Sequence, residues 1–198
     1  MPGAAADLTP REVAELAGAP KRAVEKAIEE GLLPVRSGRP RAGGRPRRLL
    51  PPEAVAYVAV LRRLGLALPP AYKRALLAAL RRLRPDEARS ARVRLGEAVE
   101  LDLGRLLGDL MERVARYRAA RDAHIACDPE ILGGTPVIRG TRMTVYSVLG
   151  RVEHGDSIDA ILEENPDLSR EALEAAVTYA RAHPPLGRPG GRPWAAAG

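Results

Sequence analysis

The chain reads as mainly α-helical, and three observations lead to that expectation. Thr, Ser, Asp or Pro stands just ahead of runs whose apolar residues recur at helical spacing, and Gly or Pro follows most of them. Strand-like alternation is confined to short stretches bounded by turn residues. Phe is absent and aromatics make up 3% of 198 residues, so any core has to be built from Leu, Val, Ile and Ala. That length accommodates one large domain or two small ones.

The N-terminal elements are the most explicit. Thr9-Pro10-Arg11-Glu12 spells a capping box, with Thr9 as N-cap, Pro10 at the first helical position and Glu12 reaching back. The helix runs to about Ala17, where Gly18 stops it. Pro20 opens a second helix to about Glu30, with Ala23, Val24, Ala27 and Ile28 on its apolar face and Gly31 at its end. Two short helices joined by a tight glycine turn suggest a helix-turn-helix. Residues 35–50 form a basic, glycine-rich loop between apolar ends, and a helix starts at Pro51-Pro52-Glu53 with Ala54, Val55, Val58, Leu61 and Leu64 apolar. A further helix spans about Pro70 to Leu83.

A helix pair leading into such a loop resembles a winged helix of the MerR kind. The resemblance implies that the second helix enters the major groove of double-stranded operator DNA, presenting Lys21, Arg22 and Lys26. It also implies that a wing grips the backbone through Arg36, Arg39, Arg41, Arg45, Arg47 and Arg48. Arg22 is the best placed for reading a base, and the wing arginines suit phosphate. The competing reading makes the loop a solvated basic linker, which Gly/Pro/Arg stretches without apolar alternation commonly are.

Charge supports a division of labour. Residues 1–85 carry 17 Lys/Arg against 7 Asp/Glu, and residues 86–122 carry 8 of each. Residues 123–183 hold 5 basic against 10 acidic side chains, and the last fifteen residues add two arginines. A basic end and an acidic end within one chain of net charge +7 point to different partners for the two.

The middle segment suggests a hairpin and a linking helix. Val93, Leu95, Val99 and Leu101 alternate about Gly96-Glu97, and Asp102 can cap the next helix. Leu103, Leu107, Leu110, Val114 and Tyr117 are then spaced as a short heptad seam on one helix. Two uses fit that seam: dimerisation, which would place paired half-sites within reach of a homodimer, or packing on the chain's own domain.

Asp128-Pro-Glu-Ile-Leu-Gly-Gly-Thr-Pro-Val-Ile-Arg-Gly-Thr-Arg142 is the most specific motif in the chain. Gly133-Gly134 suits positive φ, Pro136 biases Thr135 toward extended backbone, Val137-Ile138 is a β-branched pair, and Gly140 marks a second reversal. On these residues, positions 123–183 resemble the family known as domain of unknown function 433. Its members carry the pattern D-P-x-x-x-G-G-x-P-x-x-R-G-T-R ahead of three short helices. That family recurs as the antitoxin half of toxin–antitoxin pairs, so the resemblance implies a VapB-type antitoxin whose partner is a PIN-like ribonuclease toxin. The motif residues Asp128, Pro129, Gly133, Gly134, Pro136, Arg139, Gly140, Thr141 and Arg142 are read as structural. Asp128 caps a turn, and Arg139 or Arg142 pairs with Asp128 or binds helix-terminal carbonyls. His124, Cys127 and Asp128 lie close in sequence but on an extended segment, and His154 and His183 have no partner at metal-ligand spacing. No catalytic residue, metal ligand or cofactor is expected.

Thr144, Ser157 and Ser169 can each cap a C-terminal helix, and the last two helices again resemble a helix-turn-helix. From Asp156 to Glu174, however, seven acids face one base, Arg170, which argues against DNA and for a protein partner. Residues 184–198 read as a Pro/Gly/Arg tail in which Arg188, Arg192 and Trp194 are toxin-binding candidates, with a frayed terminus as the alternative.

The organisation expected is therefore mainly α. It consists of a winged helix-turn-helix over 1–85, a short β-hairpin and linking helix over 86–122, a small three-helix, helix-turn-helix-like domain over 123–183, and a tail. The function expected is toxin neutralisation together with repression of the protein's own operon. The alternative is a stand-alone DNA-binding regulator whose C-terminal domain binds a protein or ligand. The single cysteine fits a reducing, cytoplasmic setting, and no apolar run suits a membrane span.

Overall fold

The computed structural model describes residues 7–38, 47–84, 86–97 and 99–185. Six of the expected contact residues, Arg39, Arg41, Arg45, Arg188, Arg192 and Trp194, lie outside the described residues. The described fold is mainly helical, with small antiparallel sheets of two strands each. None of its helices is long and apolar enough to cross a membrane.

Helix α1 (Pro10–Ala17) starts on the expected capping box and ends on Gly18 in the left-handed region. Helix α2 (Lys21–Glu29) comes directly after it and buries Val24 and Ala27. Strands β1 (Arg36–Gly38) and β2 (Arg47–Leu49) pair antiparallel with Ser37 opposite Arg48, so the two arms of the basic loop meet rather than diverge. A bridge between Leu8 and Leu50 continues that pairing towards α1. Helix α3 (Glu53–Leu64) buries every residue from Ala54 to Val60 and forms the central post against which α1, α4 (Pro70–Leu80) and later elements pack. Small and β-branched residues allow helices to approach it closely, which an aromatic-poor core requires.

Strands β3 (Arg92–Leu95) and β4 (Val99–Asp102) form the expected hairpin, with Val93 opposite Leu101. The Asp102 carboxylate then accepts the Arg105 N–H at 2.9 Å and caps α5 (Leu103–Leu107). Gly104 is required here, since a Cβ at that position would lie 1.9 Å from the Arg89 carbonyl oxygen.

The expected single helix from Leu103 through Tyr117 is corrected. Gly108 (φ 55°, ψ −124°) ends α5, and α6 (Leu110–His124) begins anew. The expected dimer seam needs correction too. Leu103, Leu107, Leu110, Val114 and Tyr117 are at most 7% exposed and belong to one core with Val13, Tyr57 and Leu76, so none is presented to a second copy. Two helices meeting at an angle turn the stripe inward instead of along a straight surface. Residues 86–122 thus supply side chains to the same core as residues 7–84.

Strand β5 (Ile125–Ala126) pairs antiparallel with β6 (Val137–Ile138), ahead of α7 (Val145–Glu153), α8 (Ile158–Glu164) and α9 (Arg170–Ala182). Thr144, Ser157 and Ser169 cap these helices through the N–H groups of Ser147, Ala160 and Ala172. A second core gathers Ile125, Ile138, Val148, Ile161, Leu173 and Ala176. Helix α9 packs on α7 within that core and on α6 and α1 outside it, with Ala175 buried in the first core.

Because Leu110 is enclosed by its own chain, Leu110→Ala should cost about 2–5 kcal/mol of stability. Leu110→Glu should leave no cooperatively folded protein rather than folded monomers. Urea unfolding monitored by circular dichroism checks both; a Leu110→Glu protein with wild-type stability would refute the packing described.

Candidate nucleic-acid interface and the polar junction behind it

The outer face of α2 exposes Lys21, Arg22, Ala23 and Lys26. Two of its cations are partly spoken for. Lys21 pairs with Glu25 at 2.7 Å, and Lys26 lies 4.0 Å from Glu30, whose other oxygen takes Lys73 at 2.7 Å. Arg36 on β1 is likewise engaged by Asp7 at 3.3 Å. Among the described residues, Arg22, Arg47 and Arg48 have no ion-pair partner and keep their guanidinium groups available for phosphate or base edges.

These elements share one electrostatic field. The hydrogen bond from Lys21 holds the Glu25 carboxyl below its usual range, assisted by the charges of Lys21, Arg48 and Arg11. Arg48 on β2 and Arg11 at the start of α1 therefore add to the positive field on this face of α2. Arg11, which sequence reasoning passed over as filler in the capping box, belongs to it.

Behind this face lies a junction that no sequence pattern announced. Glu12 is 1% exposed, and both of its oxygens are used. The Thr9 N–H and hydroxyl donate to Oε2 at 2.7 and 2.8 Å, while the Tyr117 hydroxyl and Arg121 each donate to Oε1 at 2.8 Å. Arg121 also reaches the Asp7 carbonyl and the Asp122 carboxylate, and lies 5.8 Å from the Tyr117 ring centroid. On the far side Thr9 Oγ1 is 3.3 Å from His183 Nε2, and His183 stacks on Tyr179 with ring centroids 4.3 Å apart. The Tyr146 hydroxyl donates to the His183 carbonyl at 2.8 Å. One buried carboxylate thus ties α1 to α6 directly, and through Thr9 to the end of α9.

Burial alone would raise the Glu12 pKa. The charge of Arg121, its hydrogen bond and the Thr9 N–H outweigh it and hold the carboxyl below its ordinary value. Burial, and then the Glu12 charge, push the Tyr117 hydroxyl upward, so it stays a donor. The signal that could have revealed this site was the pairing of a capping-box acid with Arg121 and Tyr117, four residues apart on a later helix.

The glycine- and proline-rich motif has a structural geometry. Asp128 Oδ1 accepts the Glu130 N–H at 3.0 Å, and Gly133, Gly134 and Gly140 all take positive φ. Thr141 Oγ1 donates to the Ile138 carbonyl and accepts the Met143 N–H, closing the second turn. The Arg139 Nε–H donates to the Ala123 carbonyl at 2.8 Å and its backbone N–H to the His124 carbonyl at 2.7 Å, so the motif caps the C-terminus of α6. Pro136 and its carbonyl, which accepts the Val145 N–H, lead into α7. Arg142 is exposed. Asp159, Glu163 and Glu164 on α8, Asp167 in the following turn and Glu171 and Glu174 on α9 are exposed; Arg151 pairs with Glu164 and Arg170 with Asp159 and Glu174, which leaves the balance there acidic, opposite in sign to the α2 face.

Residues 125–180 match the family described as protein of unknown function (DUF433). A stretch of 92 residues, 46% of this chain, is 41% identical to the uncharacterized protein y4eO of Sinorhizobium fredii (strain NBRC 101917 / NGR234). The chain covers 41% of that relative's length. The X-ray crystal structure of Rv2018 from Mycobacterium tuberculosis aligns with 86% of this chain and 96% of its own at 16% identity, with a TM-score of 0.34.

The Glu12 carboxylate is favoured by folding, so its contribution is present above the ordinary carboxylate pKa and is lost as pH falls through its lowered value. Glu12→Gln, which strands Arg121, should cost about 3–5 kcal/mol at neutral pH. The variant's melting temperature should also fall less than the wild type's below about pH 5. Parallel acid limbs in the two proteins would contradict this assignment.

Proposed function

We propose that this protein is a DNA-binding antitoxin that represses its own operon and neutralises a PIN-like ribonuclease. The observation that carries the DNA-binding half is that Arg48 of β2 and Arg11 of α1 both act on Glu25 of α2, the helix that exposes Arg22. In this reading the helix pair and the hairpin act as a winged helix-turn-helix: α2 lies in the major groove and β1–β2 lies against the backbone. Arg22 reads a base edge, and Arg47 and Arg48 neutralise phosphates. A homodimer would then form through a surface other than the buried Leu103–Tyr117 stripe.

The antitoxin half is supported by the resemblance of residues 123–183 to a family that recurs beside such toxins. The acidic surface of α8 and α9 suits a protein partner, since phosphates would be repelled there. Arg188 or Arg192 would occupy the toxin's acidic active site and Trp194 would fill an apolar pocket. The junction at Glu12 favours a second reading, a stand-alone regulator. In that reading, a protein or ligand held by the C-terminal module acts on α1 through His183 and Thr9.

Fluorescence anisotropy with duplex DNA from upstream of the gene tests the first half. Arg47→Ala with Arg48→Ala should weaken binding to all sequences and reduce the slope of log affinity against log salt by about two, at roughly 0.9 per phosphate contact. An unchanged slope removes β2 from the interface. A PIN-like ribonuclease encoded beside this gene, and co-expression with it, test the second. The full chain should rescue growth, and a chain ending at His183 should not. Failure of the full chain leaves the regulator reading.

A further inference from the structure

At the C-terminal end of α9, His183 meets the cap of α1, and the hydrogens available there decide its charge. His183 Nδ1 lies 3.1 Å from the Tyr179 carbonyl oxygen, which can only accept. His183 Nε2 lies 3.3 Å from Thr9 Oγ1. The one hydroxyl hydrogen of Thr9 is committed elsewhere, to Glu12 Oε2 at 2.8 Å. Thr9 Oγ1 also accepts the Glu12 N–H at 3.3 Å, so what it turns to the imidazole is a lone pair. Both ring nitrogens therefore face acceptors, and both contacts are satisfied only when both nitrogens carry hydrogen. A neutral imidazole has one N–H. Held on Nδ1, it sets the Nε2 lone pair against Thr9; held on Nε2, it sets the Nδ1 lone pair against the Tyr179 carbonyl. Either tautomer turns one of the two contacts repulsive.

The groups around the ring favour the cation, with one exception. On α1, the Glu12 carboxylate is one hydroxyl away. Burial raises its pKa, while Arg121, Thr9 and lastly the charge of His183 lower it, and the last of these favours the imidazolium in return. On α9 itself, the ring sits among the final carbonyls of the helix and stacks on Tyr179 with centroids 4.3 Å apart, and both arrangements suit positive charge. Beyond that ring, Cys127 Sγ lies 3.8 Å from the Tyr179 hydroxyl. On α7, the Tyr146 hydroxyl donates to the His183 backbone carbonyl at 2.8 Å. On α6, burial and then the Glu12 charge keep the Tyr117 hydroxyl protonated. Arg121 is the opposing cation, and it is bound to the other Glu12 oxygen, Oε1.

We propose that His183 is a pH-operated latch: as the imidazolium it fastens the end of α9 to the cap of α1, and loss of a proton releases that fastening. Apolar packing still holds α9 on α6 and α1, but the polar link at Thr9 is gone. The sign follows from which state folding favours. The latch contributes fully below the ordinary histidine value of about 6.5, and its contribution is lost as pH rises through the higher value of the folded state. The Glu12 carboxylate fails on the acid side, so the junction is complete only in the window between the two. Thr9 caps the first helix of the N-terminal pair, so the window governs how firmly the C-terminal module holds that pair. The inference rests on neither functional reading, since it is tested without DNA or a partner.

Long-range proton–nitrogen NMR of the full chain tests it, because both ring nitrogens of an imidazolium carry hydrogen and those of a neutral ring differ. With His183→Gln to assign the signal among His124, His154 and His183, His183 should be doubly protonated at neutral pH and titrate on the alkaline side of about 6.5. Thr9→Val, which removes the acceptor, should bring the midpoint down, and Thr9→Ser should restore it. The melting temperature of the wild type should fall as pH rises past that midpoint. His183→Gln should lack this alkaline limb, which separates the latch from titration of His124, His154 or Cys127. A singly protonated His183 at neutral pH, one midpoint shared by Thr9→Val and Thr9→Ser, or the same alkaline limb in wild type and His183→Gln overturns the latch.

Discussion

A carboxylate removed from water has to be met by donors, and Glu12 is met from two helices at once. Its own helix supplies Thr9, while α6 supplies Tyr117 and Arg121. The end of α9 joins through Thr9, which His183 contacts. Arg121 is itself largely buried, and neither charge could tolerate loss of the other at low cost. The register of α1 against α6 is set by this geometry, and with it the placement of the helix pair that α1 begins. Apolar packing among Leu, Val and Ala holds these helices together, while the polar junction determines which of many similar packings is adopted.

Helix α9 occupies two cores. Leu173 and Ala176 face α7 and the C-terminal core, Ala175 faces α6 and α1, and Glu171 and Glu174 remain in solvent. The alanine-rich sequence of α9 suits this position, because small side chains let a helix be approached on two sides. The consequence for function is geometric. The acidic surface of α8–α9 and the cationic face of α2 are held in a defined relation, so a partner on one is presented at a set angle to whatever lies on the other.

Local chemistry was legible in the sequence. Thr9, Asp102, Thr144, Ser157 and Ser169 each cap the next helix, and a hairpin forms about Gly96. Arg139 binds helix-terminal carbonyls as one of its alternatives required. What could not be read was anything that depends on two distant segments. The spacing of Tyr117 from Val114 and Leu110 fits a seam, and only the bend at Gly108 shows that the stripe turns inward. The capping box accounts for one oxygen of Glu12 and so hides the other, along with the contacts that oxygen makes. At the candidate interface, the cations of α2 and β2 were visible as residue types. Which of them are quenched by Glu25, Glu30 and Asp7 was not.

The motif's grip on α6 has a further implication. Arg139 reaches back across β5–β6 to the carbonyls at the end of a helix that begins in the other core. The matched family span, residues 125–180, contains the gripping residue but not the helix it grips, nor the α1 and α6 surfaces that shelter Ala175. A module of that span is therefore incomplete as a solvated unit. In this chain the helix end for the arginine and the small apolar shelf for α9 both come from outside that span, so the module is joined to the rest by docking shape and not by the chain connection alone.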